Sequence, residues 1–234
     1  AWLQLTRSEF NQAMNCVEAV KQTAGDRADI IIEGHGRFDV PTALRVANAL
    51  AAHQPLWFEE PLPPENLEGL ADLKRRVNIP IAAGERLYSR WQFKTLLELG
   101  AADIVQPDVS HAGGIGELKK IAAMAETHHL PFCPHNPSGP VAHAATLQLA
   151  ACCPNFGLLE TMSTDVPWRQ DICTEDLHMQ NGEQVIPDAP GLGIDIRPDA
   201  IARHPYKRCE LRHFRGDLTD IRPEDAASTT KGTT

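Results

Sequence analysis

Six short apolar runs, each closed by an ionisable residue and each following the last at a nearly constant interval, constrain this 234-residue chain more than any other feature. The runs occupy residues 29–33, 56–59, 79–85, 103–108, 131–135 and 156–160, and they close on Glu33, Glu59, Glu85, Asp108, His135 and Glu160. The closing residues are separated by steps of 26, 26, 23, 27 and 25. Several runs are continuously apolar rather than alternating, as in parallel strands buried on both faces. Between them lie stretches of helical length at 41–53, 65–76, 89–99 and 115–129, and a more apolar one at 141–151. Asp39 stands just ahead of the first, and Pro41 suits an opening helical turn. Strand then helix, repeated without hairpin signals, predicts βαβ units and a parallel sheet. An open sheet would spread the six closing groups along a line. A closed (β/α) barrel of the TIM type brings them to one mouth, so the barrel is the expected fold.

With 42% hydrophobic residues the chain can bury one sizeable core. A net charge of -9 gives it no electrostatic reason to bind nucleic acid or an anionic membrane surface. Nor would it attract an acidic small molecule, unless a cation sat in the site. Six cysteines form no C-x-x-C pair, which predicts reduced thiols and a cytoplasmic protein. No apolar run approaches the ~18 residues of a membrane span, and the opening Ala-Trp-Leu-Gln-Leu does not read as a signal peptide. The absence of an initiator Met reads as part of something longer. Residues 1–200 are expected to form a partial barrel, and 201–234 an extension ending in a disordered tail from Ser228 to Thr234.

Glu33, Glu59 and Glu85 close neighbouring strands, which lie roughly 5 Å apart. Three carboxylates so close repel unless protons or a cation neutralise them. An all-oxygen set suits a hard divalent ion, Mg²⁺ first and Mn²⁺ second, whereas zinc more usually recruits His or Cys. Such a cation also supplies the positive centre that an acidic substrate needs. Glu60 follows Glu59 directly, so strand alternation turns it to the other side as a structural group.

These residues, in this order, resemble the enolase superfamily and its mandelate racemase subgroup. The carrying motifs are Glu33-Gly-His-Gly-Arg37, Trp57-Phe-Glu-Glu-Pro-Leu62, Ala82-Ala-Gly-Glu-Arg86, Gln106-Pro-Asp-Val-Ser-His-Ala-Gly-Gly114 and Pro134-His-Asn-Pro-Ser-Gly-Pro140. Pro190-Gly-Leu-Gly-Ile-Asp195 resembles the family's closing strand. Within the subgroup the wording is closest to the galactonate dehydratases, through His35 two residues after the first ligand and through the His-x-Pro-x-Gly-Pro loop. The first ligand is Glu33 where those enzymes usually carry Asp. The family's capping domain and first two barrel strands have no counterpart before Glu33, where one helix from Ser8 to Thr23 fits.

The resemblance implies metal ligands at Glu33, Glu59 and Glu85, and a general base formed by His135 with Asp108. It makes His35 a general acid and Glu160 a partner of the substrate carboxylate. Arg37 and Arg86 read as substrate clamps or as partners of the metal-site carboxylates, and Arg37 is expected with Glu160 to bind the substrate. The implied reaction is Mg²⁺-dependent dehydration of a galactonate-like sugar acid, through an enediolate, to a 2-keto-3-deoxy acid. His35 is what favours elimination over racemisation, because only elimination needs an acid aimed at C3. The alternatives are a racemase or epimerase on the same scaffold and a non-catalytic fragment. A homo-oligomer is expected of the complete enzyme. His111, His128, His129, His143, His178, His204 and His213 read as loop or core residues, and Trp57, Trp91 and Trp168 as packing.

Overall fold

The computed structural model describes residues 3–162, 168–174 and 179–205. The chain divides into two compact units, Ala1–Ile196 and Arg197–Thr234. Cys209, His178, His213 and the expected disordered tail lie outside the described residues, as does Trp2.

The first unit opens with α1 (Arg7–Ala24), capped reciprocally by Thr6 and Glu9. The Glu9 amide donates to the Thr6 hydroxyl at 3.2 Å, and the Thr6 amide donates to the Glu9 carboxylate at 2.7 Å. Strand and helix then alternate as β1 (Ile31–Glu33), α2 (Val40–Leu50), β2 (Trp57–Glu59), α3 (Leu67–Arg76), β3 (Ile81–Ala83), α4 (Arg90–Glu98), β4 (Ile104–Val105), α5 (Ile115–Thr127) and α6 (Pro140–Ala150). Asp39 caps α2 by accepting from the Thr42 amide at 2.8 Å, and Asn66 caps α3 by accepting from the Gly69 amide at 3.0 Å. The second unit contains α7 (Pro198–Arg203).

The four strands are parallel in the order β1-β2-β3-β4, with Glu33 level with Glu59. The sheet continues through two single parallel bridges, Val105 to Phe132 and Phe132 to Phe156. The fifth and sixth apolar runs therefore occupy the fifth and sixth strand positions, but pair over one residue each. Prolines explain the shortening of the fifth run, since Pro131 and Pro134 bracket its paired residue and have no amide to give to a ladder. The expected closing strand over Pro190–Asp195 is irregular chain. Gly191 and Gly193 take positive φ there (75° and 77°), and only Ile196 bridges, antiparallel, to Cys173.

Strand alternation sorts the core into two layers. Phe58, Ile81, Ala83, Val105 and Phe132 face the helices and pack with Leu50, Leu73, Phe93, Leu96, Leu118 and Ile121. Trp57, Ala82, Ile104 and Cys133 form a separate inward-facing cluster. Each fully buried large apolar side chain in the outer layer contributes about 1.5–3 kcal/mol. Ile31 stays 42% exposed, since β1 stands at one margin of the sheet. Trp91, read from the sequence as packing, is 66% exposed on α4 and lies under the Arg90 guanidinium at 4.9 Å. Among the described residues no helix is long and apolar enough to cross a membrane.

Candidate active site at the carboxyl ends of the strands

The inward-facing layer leads directly to the polar groups. Two positions beyond Trp57 on the same face of β2 is Glu59, buried, and the Trp57 indole N–H donates to its Oε2 at 2.9 Å. This bond was not legible from the residue types, because an indole among apolar residues reads as packing until its rotamer is known. The bond occupies one Glu59 oxygen and fixes the plane of the carboxylate. Trp57→Phe keeps the ring bulk but loses the donor. It is expected to weaken Mn²⁺ binding by roughly 10–100-fold, as loss of an outer-shell partner does, when measured by titration of the Mn²⁺ electron spin resonance signal.

Glu33, Glu59 and Glu85 come together. Glu33 lies within hydrogen-bonding reach of Glu59 and close enough to Glu85 to feel its charge. Ligand atoms of Glu33, His35 and Glu85 all fall within 4.8 Å of one another. Burial first, and then repulsion from Glu59 and Glu85, hold the Glu33 carboxyl well above the usual carboxylate range. Its carboxyl is crowded by protein atoms even though 41% of the side-chain surface meets solvent. Burial, followed by the charge of Glu60, pushes Glu85 up to about 7. A cluster of carboxylates that raises its own proton affinity is what a hard divalent cation relieves. The donor set therefore fits the cation that the family implies.

The turn after β1 is built around this cluster. His35 adopts φ 52°, and its amide donates to Glu33 Oε1. Gly34 is required by close approach, since a Cβ there would stand 2.9 Å from Pro61 Cα and 3.0 Å from the Glu60 carbonyl. A side chain at Gly36 would strike the Arg86 guanidinium. Arg37 is half-buried on the same turn, its amide donating to the Gly34 carbonyl at 3.2 Å.

The charge felt by Glu85 comes from Glu60, which follows β2, is buried and adopts φ 36°, outside strand geometry. Arg86 Nε donates to its Oε2 at 2.5 Å, while the same Nε lies 3.7 Å from Glu85 Oε1. Arg86 is thus chiefly the counter-ion of Glu60. Arg86→Ala leaves that carboxylate buried and unpaired. It is expected to cost about 3–5 kcal/mol of folding stability, read as a lower urea midpoint. Arg86→Ala with Glu60→Gln should recover much of the loss.

His135 and Asp108 meet at 2.7 Å through Nδ1 and Oδ2. Asp108, 1% exposed, also accepts the Ser110 amide at 2.6 Å on Oδ1. Burial raises the Asp108 pKa, but these hydrogen bonds and the neighbouring imidazoles outweigh it and leave the net shift downward. For His135, burial acts to lower the pKa. The bond to Asp108 and the charges of Glu85, Glu160 and Asp108 reverse that, so the net shift is upward. His135 Nε2 lies 3.2 Å from Glu85 Oε2 and 4.0 Å from Glu160 Oε2, while His35 Nδ1 lies 3.6 Å from Glu85 Oε1. The two imidazoles thus flank opposite oxygens of one carboxylate. Glu160 accepts the Asn136 amide at 2.9 Å, which ties the sixth run to the residue after His135.

Two further histidines, read from the sequence as loop or core, take part in the surrounding network. His143 on α6 is buried and joined to Asn136 at 2.6 Å and to Gln184 at 2.7 Å. Burial and the charge of Arg169 lower its pKa against the Gln184 bond, so it stays neutral in this network. His111 bonds through Nδ1 to the Glu85 carbonyl at 2.9 Å.

Comparison with known proteins agrees with this arrangement. Residues 3–200 match the family model described as enolase C-terminal domain-like. The chain is 38% identical over 200 residues to a D-xylonate dehydratase of Haloferax volcanii, covering 86% of this chain and 48% of that protein. It is 39% identical over 194 residues to a D-galactonate dehydratase of Xanthomonas campestris pv. campestris, covering 80% and 50%. The chain thus spans about half the length of the curated relatives it matches. A mandelate racemase/muconate lactonizing enzyme-like protein of Rubrobacter xylanophilus superposes with a TM-score of 0.84 at 36% identity, over 88% of this chain and 52% of that one. The expected fold holds, with strands, helices and inward-facing layer disposed as in a barrel, and the chain belongs to the enolase C-terminal domain-like family, with its TIM-type (β/α) barrel.

Proposed function

We propose that this chain carries the catalytic residues of a divalent-cation-dependent sugar-acid dehydratase that forms a 2-keto-3-deoxy acid. The observation that supports it most is the placement of two imidazoles, His135 and His35, on opposite oxygens of Glu85. Elimination of water needs a base at C2 and an acid at C3, separated by the substrate. The names of the relatives, dehydratases of xylonate and galactonate, point the same way.

Glu33, Glu59 and Glu85 would hold the cation, Mg²⁺ or Mn²⁺, which supplies positive charge to stabilise the carbanionic substrate once its C2 proton has left. Asp108 accepts from His135 Nδ1–H and so leaves Nε2 as the basic nitrogen. His135 Nε2 takes the C2 proton. His35 gives a proton to the 3-hydroxyl as the C3–O bond breaks and water departs, and the resulting enol tautomerises to the 2-keto acid. Glu160 and Arg37 contact the carboxylate and hydroxyl groups of the sugar acid.

The test is a panel of aldonic acids, including galactonate, gluconate and xylonate, incubated with Mg²⁺ and assayed for 2-keto product in D₂O. Keto acid with one or more of them is the expected result. Deuterium at C2 of recovered acid without keto product would establish a racemase or epimerase instead. Neither product nor exchange would overturn the reading of the chain as catalytic.

A further inference from the structure

His111 has no part in the reaction above, yet its surroundings are those of a metal ligand. Its Nδ1–H donates to the Glu85 carbonyl. A carbonyl only accepts, so the bond fixes the tautomer and leaves Nε2 with its lone pair. A backbone carbonyl on the far ring nitrogen is also the support that orients metal-binding imidazoles. The His111 ring lies 5.9 Å from that of His135, centroid to centroid. Ligand atoms of Asp108, His111 and His135 all fall within 4.8 Å of one another.

We propose that Asp108, His111 and His135 form a second cation site, distinct from the three-glutamate cluster, that takes Zn²⁺ and similar nitrogen-seeking ions. One carboxylate and two imidazoles are a zinc set, whereas Mg²⁺ prefers oxygen throughout. The ion takes the place of the proton between His135 Nδ1 and Asp108 Oδ2, and the neutral ring then carries its one proton on Nε2. Bonds of about 2.0–2.2 Å to each ligand need that pair to open by a few tenths of an ångström and His111 to move inward. His111 is exposed on the turn between β4 and α5, where such movement meets little packing. The consequence for activity rests on the proposed function. An imidazole held by zinc cannot serve as the C2 base, so zinc inhibits where Mg²⁺ activates.

The experiment is a Zn²⁺ titration of the chain by calorimetry in saturating Mg²⁺, repeated in buffers of different ionisation enthalpy to count protons released. One ion per chain is expected, with no net proton released at a pH where His135 is neutral, both in the wild type and in Glu59→Gln. His111→Gln should weaken binding by more than the roughly 10–100-fold lost with an outer-shell partner. Wild-type zinc affinity in His111→Gln overturns the proposal. So does binding that is lost in Glu59→Gln but kept in His111→Gln, which would put the ion on the glutamates. Circular dichroism of each variant separates loss of the site from loss of the fold. These outcomes do not depend on any sugar acid being turned over, so failure of the dehydratase reading and failure of the zinc site are distinguishable. Zinc inhibition that His111→Gln relieves is expected if both hold.

Discussion

His135→Asn is expected to stop both exchange of the C2 proton and formation of keto acid. Asparagine can still accept Asp108 as a partner, so the loop keeps its position, but it offers no basic nitrogen toward the substrate. A positioned base contributes about 10²–10⁴-fold to rate, and at least that much should be lost. His35→Asn is expected to behave differently. The C2 proton can still leave without an acid at C3, so dehydration should fall by a similar factor while exchange in D₂O continues. Proton NMR of the C2 position, run beside a keto-acid assay, separates the two. Equal loss of both activities in His35→Asn would place His35 in the binding of substrate or cation and leave the acid unassigned.

The second large effect concerns the cation. Mg²⁺ or Mn²⁺ is expected to stabilise the fold, because the cluster of carboxylates proposed to hold it exists only when β1, β2 and β3 are in register. At a hundredfold excess over its dissociation constant the gain is about 2.7 kcal/mol, measured as a shift in the urea midpoint with and without chelator. Glu59→Gln should act in two directions. It removes one charge from a repelling trio and so stabilises the cation-free chain, and it removes a ligand and so abolishes the response to cation. A wild-type midpoint that does not move with cation would mean that the three glutamates hold no ion.

Much of this was legible in the chain itself. The interval between closing residues reflects one strand, one helix and two short loops, a length set by local geometry, so the barrel repeat could be read without knowing which strands touch. Parallel strands in sequence order then bring neighbouring closing residues together, and the Glu33, Glu59 and Glu85 cluster and the His135–Asp108 pair are where that rule puts them.

What lay beyond the sequence depended on partners distant along the chain or on rotamers. Trp57 looked like packing, and only the fold turned its indole N–H onto Glu59. Glu60 needed Arg86, 26 residues away, and His143 needed Gln184, 41 residues away. His111 was one imidazole among ten until the turn after β4 set it against Glu85 and His135. The fifth strand position shrank to a single bridge because prolines flank it, and the run at Pro190–Asp195 gave way to turns because two glycines there take positive φ. Periodicity is written locally, so the sequence alone determined the repeat and the order of the groups at its mouth. Hydrogen bonds between distant side chains depend on where the backbone finally goes, so only the tertiary structure decided which of those groups hold one another in place.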